Sequence, residues 1–346
     1  MTKNLLNMSL EELIAALLNV QEQSYRAKQL YTWFYQKHVT DLNQMSNISE
    51  SLKEKILRNF EIKIPEIIDV SKSQKDNSYK FLLKTYDNKL IESILMIAKD
   101  RVTICVSCMI GCPLKCKFCA TGSQIGFVKN LDQSEILGQI ITINQYAKKN
   151  NIAQNISNVV FMGMGEPLLN LDNIEKSVKI LLDPNGFGLS RSKITLSTAG
   201  VINNLAEFIN KYRIKLAVSL HFPTDEQRSK FMPINIKYPL KKLIEELKKI
   251  DLSKRDYITI EYLMLKDIND SLDHAKQLIK LLGNLKVKIN LIPYNPTKDF
   301  PAISSTEEII NNFAKFLISK NIMVTVRRSL GQDIQGACGQ FALKKN

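Results

Sequence analysis

The chain has 346 residues, of which 45% are hydrophobic, and it carries a formal charge of +14. That length suits about two domains, and no segment approaches the ~18 uninterrupted apolar residues of a membrane span; no membrane partner and a cytoplasmic location are expected. Six cysteines, five of them between Cys105 and Cys119 and the sixth alone at Cys338, exclude the spread-out disulfide framework of a small secreted protein and point to metal or redox chemistry.

The chain opens with MTKNLLNMSLEELIAALL, an apolar stretch that Glu11 and Glu12 interrupt and that no small-residue cleavage site follows. The Ser9 to Glu12 spacing predicts a capping box at the start of an ordinary helix rather than a secretion signal. SYRAKQLYTWFYQKH carries Leu30, Trp33 and Phe34 at helical spacing, and SLKEKILRNF continues the pattern with Leu52, Ile56 and Leu57. Residues 1–60 are expected to form a small helical domain. Next, YKFLLKTYDNKLIESILMI reads as two alternating runs joined at Asp87-Asn88, a hairpin signal, so residues 61–100 are expected to be a short β segment.

From residue 101 the rhythm is strand then helix. VTICVS, NVVFMG, KITLST, KLAVSL, YITIEYLML and KINLIP are short, β-branched-rich runs that suit buried parallel strands. SEILGQIITINQYAKK, NIEKSVKILL, LKKLIEELKKI and SLDHAKQLIKLL lie between them with helical periodicity. A last helix (TEEIINNFAKFLISK) and strand (MVTVRR) lead into a glycine-rich tail, SLGQDIQGACGQ. The fold class is therefore α/β, a partial (β/α) barrel over residues 101–346 that ends in this tail. The motifs CPLKCKFC, GMGEP, STAG, SLH and PYNP each end or follow a strand, which gathers them at the rim where barrel chemistry occurs.

Charge is unevenly placed: residues 1–100 hold 14 Lys and Arg against 13 Asp and Glu, and residues 101–346 hold 34 against 21. Such an excess favours a polyanionic partner such as nucleic acid; the competing reading is a solvated surface in a lysine-rich proteome. Lys241, Lys242, Lys248 and Lys249 read as a solvated helix face, and Arg327 and Arg328 as better candidates for RNA contact.

Cys112, Cys116 and Cys119 are spaced C-x3-C-x2-C. Structural zinc takes four ligands, and His38, His221 and His274 lie far away in sequence, although folding can bring one in. A four-iron cluster on three thiolates leaves one iron free to be chelated by a small molecule. The spacing, with Phe118 before the last cysteine, resembles the signature of the radical S-adenosylmethionine (SAM) superfamily. GMGEP adds glycines that admit a ligand to the backbone and a carboxylate, Glu166, suited to an amino group. Standing alone it is a plain strand-to-helix turn.

CVSCMIGCPLKCKFCATG, FMGMGEPLLNL, TLSTAG, AVSLH, MPIN, INLIPYNP and the terminal ACGQ, in that order and with the RAKQLYTWFY helix before them, resemble the RlmN-type adenine carbon-2 methyltransferases along nearly the whole chain. The resemblance implies methylation of carbon 2 of an adenosine in 23S rRNA and of the adenosine 3′ to the anticodon in tRNAs, through a methylcysteine intermediate and two SAM per turnover. It implies a [4Fe-4S] cluster on Cys112, Cys116 and Cys119, and a SAM site formed by Gly165, Glu166, Ser197, Ser219, Leu220, His221 and Asn295. Cys338 takes the first methyl; Cys105 is the resolving thiol, leaving a transient disulfide with Cys338; Glu92 aligns with a carboxylate proposed as proton acceptor. Residues 1–60 become an RNA-binding accessory domain, with a flavodoxin-like electron donor and a monomeric state expected.

Each assignment has a plainer counterpart. Cys105 in a strand suits a small buried hydrophobe, Cys338 an incidental tail cysteine, Glu92 the polar face of an alternating strand, and His221 and Asn295 local hydrogen bonding. Cys108 departs from the family, which carries a small polar residue there, and its nearness to Cys105 allows an unproductive disulfide. Two further readings compete: a Cfr-type carbon-8 methyltransferase, a group with GMGEA where this chain has GMGEP, and a non-catalytic iron–sulfur RNA-binding protein, which leaves Cys105 and Cys338 without purpose.

Overall fold

In the computed structural model, which describes residues 2–298 and 300–343, the apolar spacing of the first sixty residues produces helices at Leu10–Asn19, Ser24–Tyr35 and Glu50–Asn59. Ser9 caps the first, and Glu12 returns the bond to the Ser9 amide, completing the capping box. Leu13, Leu17, Leu30 and Phe34 are buried, each worth roughly 1.5–3 kcal/mol relative to exposure. These helices dock on the long helix Gln133–Lys149: Gln133 Nε2 donates to the Leu6 carbonyl at 2.6 Å and Gln145 Nε2 to the His38 carbonyl at 2.6 Å.

A single sheet of ten strands follows, each strand lying beside the one before it in chain order. We number them β1 (Glu66–Lys72), β2 (Ser78–Lys84), β3 (Leu90–Ala98), β4 (Arg101–Cys105), β5 (Asn158–Phe161), β6 (Ile194–Thr198), β7 (Lys215–Ser219), β8 (Ile258–Met264), β9 (Val287–Pro293) and β10 (Met323–Val326). Strands β1 to β4 pair antiparallel, and β4 to β10 pair parallel. The expected hairpin is β2–β3, with Asn88 in the left-handed turn conformation at φ 62°. It belongs to the same sheet as the parallel strands, joined through the β3–β4 pair, and β1, which the sequence reading did not single out, extends it further. Strands β1 and β10 are the two edges, so the barrel is partial.

The core lies inside and behind the sheet, with Ile104, Val159, Leu196, Val218, Ile260 and Ile289 fully buried. CPLKCKFC occupies the loop of a small antiparallel hairpin, Met109–Gly111 with Phe127–Asn130, closed by the Cys112 amide donating to the Gly126 carbonyl at 2.8 Å. Among the described residues no helix is long and apolar enough to cross a membrane.

Candidate active site

The strand ends converge on a cavity of about 170 Å³ lined by Cys112, Cys116 and Cys119 on one side, Glu166, Ser197, Ser219 and His221 on the other, and Cys338 from the tail. Gly165 also lines it at φ +106°, and a Cβ there would sit 2.6 Å from the Met109 Cβ, so this turn needs glycine. Glu166 is buried, and burial pushes its carboxyl up to about 7. Its Oε2 accepts from the Ala199 amide at 2.8 Å, which ties the GMGEP turn to the end of β6. His221, at the end of β7, accepts the Leu263 amide on Nδ1 at 3.1 Å; burial holds it down at about 3, a neutral ring. Phe118 packs edge-on against it, ring centres 5.1 Å apart.

Burial raises the thiols of Cys112, Cys116 and Cys119, with Cys112 at about 12; bound iron reverses that balance by favouring the thiolate. Among the described residues no three His, Cys, Asp or Glu side chains gather closely enough to hold one metal ion, whereas a cluster asks only one thiolate for each of three irons. His221 is engaged with the backbone rather than completing a four-ligand zinc set. The donor set therefore fits an iron–sulfur cluster, which Cys112, Cys116 and Cys119 would hold with one iron left without a protein ligand, in the cavity that Glu166 and Ser197 also line.

Not every expected SAM residue is in this cavity. Leu220 is fully buried beside it and contributes backbone: its carbonyl accepts from Arg228 Nε at 3.2 Å. Asn295 lines a neighbouring polar cavity and turns its side chain to the tail, donating to Ser329 Oγ at 3.0 Å and to the Cys338 carbonyl at 3.3 Å.

A second cavity of about 90 Å³ adjoins the first, sharing Cys119, Met162, Arg327 and Cys338, and Cys105 opens onto it. Cys338 is exposed and Cys105 buried, and all six cysteines are free thiols. Burial pushes the Cys105 thiol up to about 12, with the Arg327 guanidinium pulling the other way. Cys108 is also buried, and its thiol donates to the Met164 carbonyl at 3.6 Å. Glu92, in the middle of β3, is fully buried and lines neither cavity. Lys80 Nζ lies 2.7 Å from its Oε1, an ion pair not aligned as a hydrogen bond, and Oε2 accepts from the Leu343 amide at 3.1 Å.

Three charged residues of the site escaped the sequence reading in whole or in part. Glu261, on β8, lines the first cavity, accepts from Asn290 Nδ2 at 3.1 Å and has a buried Oε2 without a hydrogen-bond partner in the structure. An acid in the apolar run YITIEYLML was the available signal. Arg228 is wholly buried and donates to the carbonyls of Ala199, Ser219 and Leu220, pinning the ends of β6 and β7. Arg327 faces inward, 3.9 Å from Glu261, while Arg328 is exposed and pairs with Glu307 at 3.0 Å.

The radical SAM superfamily matches residues 106–282, and the ribosomal RNA large subunit methyltransferase N-terminal domain matches residues 3–62. The dual-specificity RNA methyltransferases RlmN of Buchnera aphidicola subsp. Schizaphis graminum and Oleidesulfovibrio alaskensis are 42% and 43% identical to this chain. Each match covers 98% of the chain, and 93% and 95% of those proteins. This chain belongs to the RlmN family. A crystal structure of a radical SAM methyltransferase from Sphaerobacter thermophilus superposes with a TM-score of 0.92 at 33% identity, covering 99% of this chain and 100% of that one. RlmN enzymes are radical SAM methyltransferases, and the cofactors of the superfamily, a [4Fe-4S] cluster and SAM, match the three-thiol cavity.

Proposed function

We propose that this chain methylates carbon 2 of an adenosine in 23S rRNA and of the adenosine 3′ to the anticodon in tRNAs. The observation that carries the reading is the pair of adjoining cavities that hold the three cluster thiols, Cys338 and Cys105. Carbon 2 of adenine lies between two ring nitrogens and is too electron-poor to attack an electrophilic methyl group, so the reaction needs a carbon radical. A [4Fe-4S] cluster with one open iron supplies it by one-electron cleavage of one SAM, a second SAM providing the methyl.

Cys112, Cys116 and Cys119 hold the cluster; Gly165, Glu166, Ser197, Ser219 and His221 hold SAM, Glu166 taking its amino group. Cys338 accepts a methyl as a thioether, giving up its thiol proton; the 5′-deoxyadenosyl radical from the cleaved SAM would take one hydrogen atom from that methyl, becoming 5′-deoxyadenosine, and the methylene carbon would add to carbon 2. The adduct would return one electron to the oxidised cluster and lose the carbon-2 proton, which would reach Glu92 only once the Leu343 amide leaves its Oε2 and a path opens from the cavities, neither of which Glu92 lines. The Cys105 thiolate then attacks Cys338 Sγ. The sulfur–carbon bond breaks toward carbon, which takes a proton, leaving methyladenosine and a Cys105–Cys338 disulfide.

Residues 1–60 serve as an RNA-binding accessory domain, 61–100 as a β segment and 101–346 as the catalytic core. The protein works as a cytoplasmic monomer with an external, flavodoxin-like electron donor. Relatives named RlmN favour this over carbon-8 chemistry. The test is the product: digested RNA from a strain lacking the enzyme and from the same strain complemented, compared by mass spectrometry with 2-methyl and 8-methyl standards. Complementation should restore 2-methyladenosine; restored 8-methyladenosine would overturn the reading.

A further inference from the structure

The tail that carries Cys338 has no helix or strand of its own, so its position is set by the contacts it makes. Those contacts fall into two groups, one on each side of the thiol. On the far side, the Ala120 amide donates to the Gly339 carbonyl at 2.7 Å and Thr121 Oγ1 to the Phe341 carbonyl at 2.9 Å. Phe341 packs with Ile94, Cys105 and Met164 in a small buried cluster and lines the same cavity as Cys105. On the near side, residues 331–336 form a compact turn closed by the Gly336 amide donating to the Gly331 carbonyl at 2.8 Å.

That turn meets the loop Ser73–Asp76, which joins β1 to β2. Ser73 Oγ donates to Asp333 Oδ1 at 2.8 Å and the Gln74 amide to Asp333 Oδ2 at 2.8 Å. In return the Gly331 amide donates to Asp76 Oδ2 at 2.8 Å. The loop is itself preset, since Ser73 Oγ accepts from the amides of Lys75 and Asp76 at 3.1 Å each. The contact is thus reciprocal: each segment offers one aspartate to the backbone of the other. Charge-assisted bonds of this kind are short and directional; Asp333 is exposed, so its bonds can open to water, whereas Asp76 is half-buried with its Oδ1 buried and without a hydrogen-bond partner.

We infer that the Ser73–Asp76 loop is the dock for the cysteine-bearing tail, and that Asp76 and Asp333 are positioning residues for Cys338. The inference rests on the reading of Cys338 as methyl acceptor. It gives the antiparallel strands β1 and β2 a task in the reaction, because they carry the dock beside the barrel mouth. Closing the clasp sets Cys338 at the two cavities and covers Cys105; opening it frees the tail and uncovers Cys105.

The test uses the full-length, iron-loaded protein under anaerobic conditions. Asp333→Ala, Asp76→Ala and the double variant are compared with the parent for the rate at which iodoacetamide alkylates Cys105, read on its peptide by mass spectrometry. Each single variant should react about tenfold faster at unchanged iron content, and Asp333→Asn, which keeps one acceptor, should fall between. The share of Cys338 carrying a methyl in protein purified from cells should fall in step. Should Asp76→Ala lose iron, the exposed position Asp333 carries the test alone. Parental alkylation rates in Asp333→Ala and in every iron-loaded variant would overturn the dock. A Cys338→Ala enzyme that still methylates RNA would instead overturn the methyl-acceptor reading and leave the alkylation result standing.

Discussion

Cys105 and Cys338 stand at the two ends of the barrel sequence yet open onto one cavity. If the methylene on Cys338 joins the base, a thioether links enzyme to RNA until Cys105 breaks it. Cys105→Ala should therefore accumulate protein covalently bound to RNA, visible as a shifted band on denaturing gels. Cys338→Ala should assemble its cluster, methylate nothing and show no shifted band. Identical gels for the two variants would end the paired-thiol mechanism. That Cys112, Cys116 and Cys119 share a cavity was legible because their spacing is a local pattern, and Cys338 was singled out because the terminal ACGQ resembles a family motif. Glu261 and Arg228 were not, since each is defined by what it faces after folding: a carboxylate oxygen in a cavity and a guanidinium among three strand-end carbonyls. The resemblance placed Asn295 in the SAM site, whereas its side chain bonds the tail at Ser329 and Cys338, contacts that sequence order hides.

At the scale of the elements, the parallel strands could be read almost to the residue because each is a short apolar run bounded by turns. The helices Leu205–Tyr212 and Asp225–Phe231 were missed; at 8 and 7 residues they are too short for periodicity to stand out. Docking of the N-terminal helices was equally invisible, and it hides His38 against Asn144, whose Nδ2 lies 2.7 Å from the ring Nδ1. Burial lowers His38 to about 4, against about 6.5 in an unfolded chain. Between those values the unfolded chain binds a proton that the folded one does not, so this contribution to stability is intact above pH ~6.5 and is lost as pH falls toward 4. The loss by pH 4 amounts to ~2–3 kcal/mol. Glu166 runs the opposite way: its raised carboxyl contributes stability at low pH that is lost as pH rises toward about 7. Comparison with a variant isolates the histidine. His38→Gln should be less stable at pH 7, yet its melting temperature should fall less between pH 7 and 4.5 than that of the parent. Equal falls would mean that His38 is not the group being titrated.

For the whole molecule the decisive quantity is where the +14 charge sits. The N-terminal hundred residues are nearly neutral and the excess lies in residues 101–346; if the substrate adenosine enters at the cavity that holds Cys338, the part of that charge that contacts RNA is expected around the barrel mouth. Lys115 and Lys117 are exposed in the cluster loop at that rim. Lys248 and Lys249 lie at the other end: the Lys249 carbonyl accepts from Asn210 Nδ2 at 3.0 Å, and Asp251 pairs with Arg213 just before β7 begins. Each phosphate neutralised releases condensed counterions, so an enzyme covering about five phosphates should show log K falling against log salt with a slope of roughly −4 to −5 on duplex RNA, less on single strands. Lys115→Ala and Lys117→Ala should each make that slope shallower by about 1. Lys248→Ala with Lys249→Ala should leave it unchanged, because charges a barrel length away are screened beyond ~8–10 Å at physiological salt. Filter binding across a salt series reads all of these slopes. Binding indifferent to salt, or a slope that responds to the far-end lysines and not to the rim, would detach the basic charge from RNA recognition and leave shape and the N-terminal helices as the carriers of affinity.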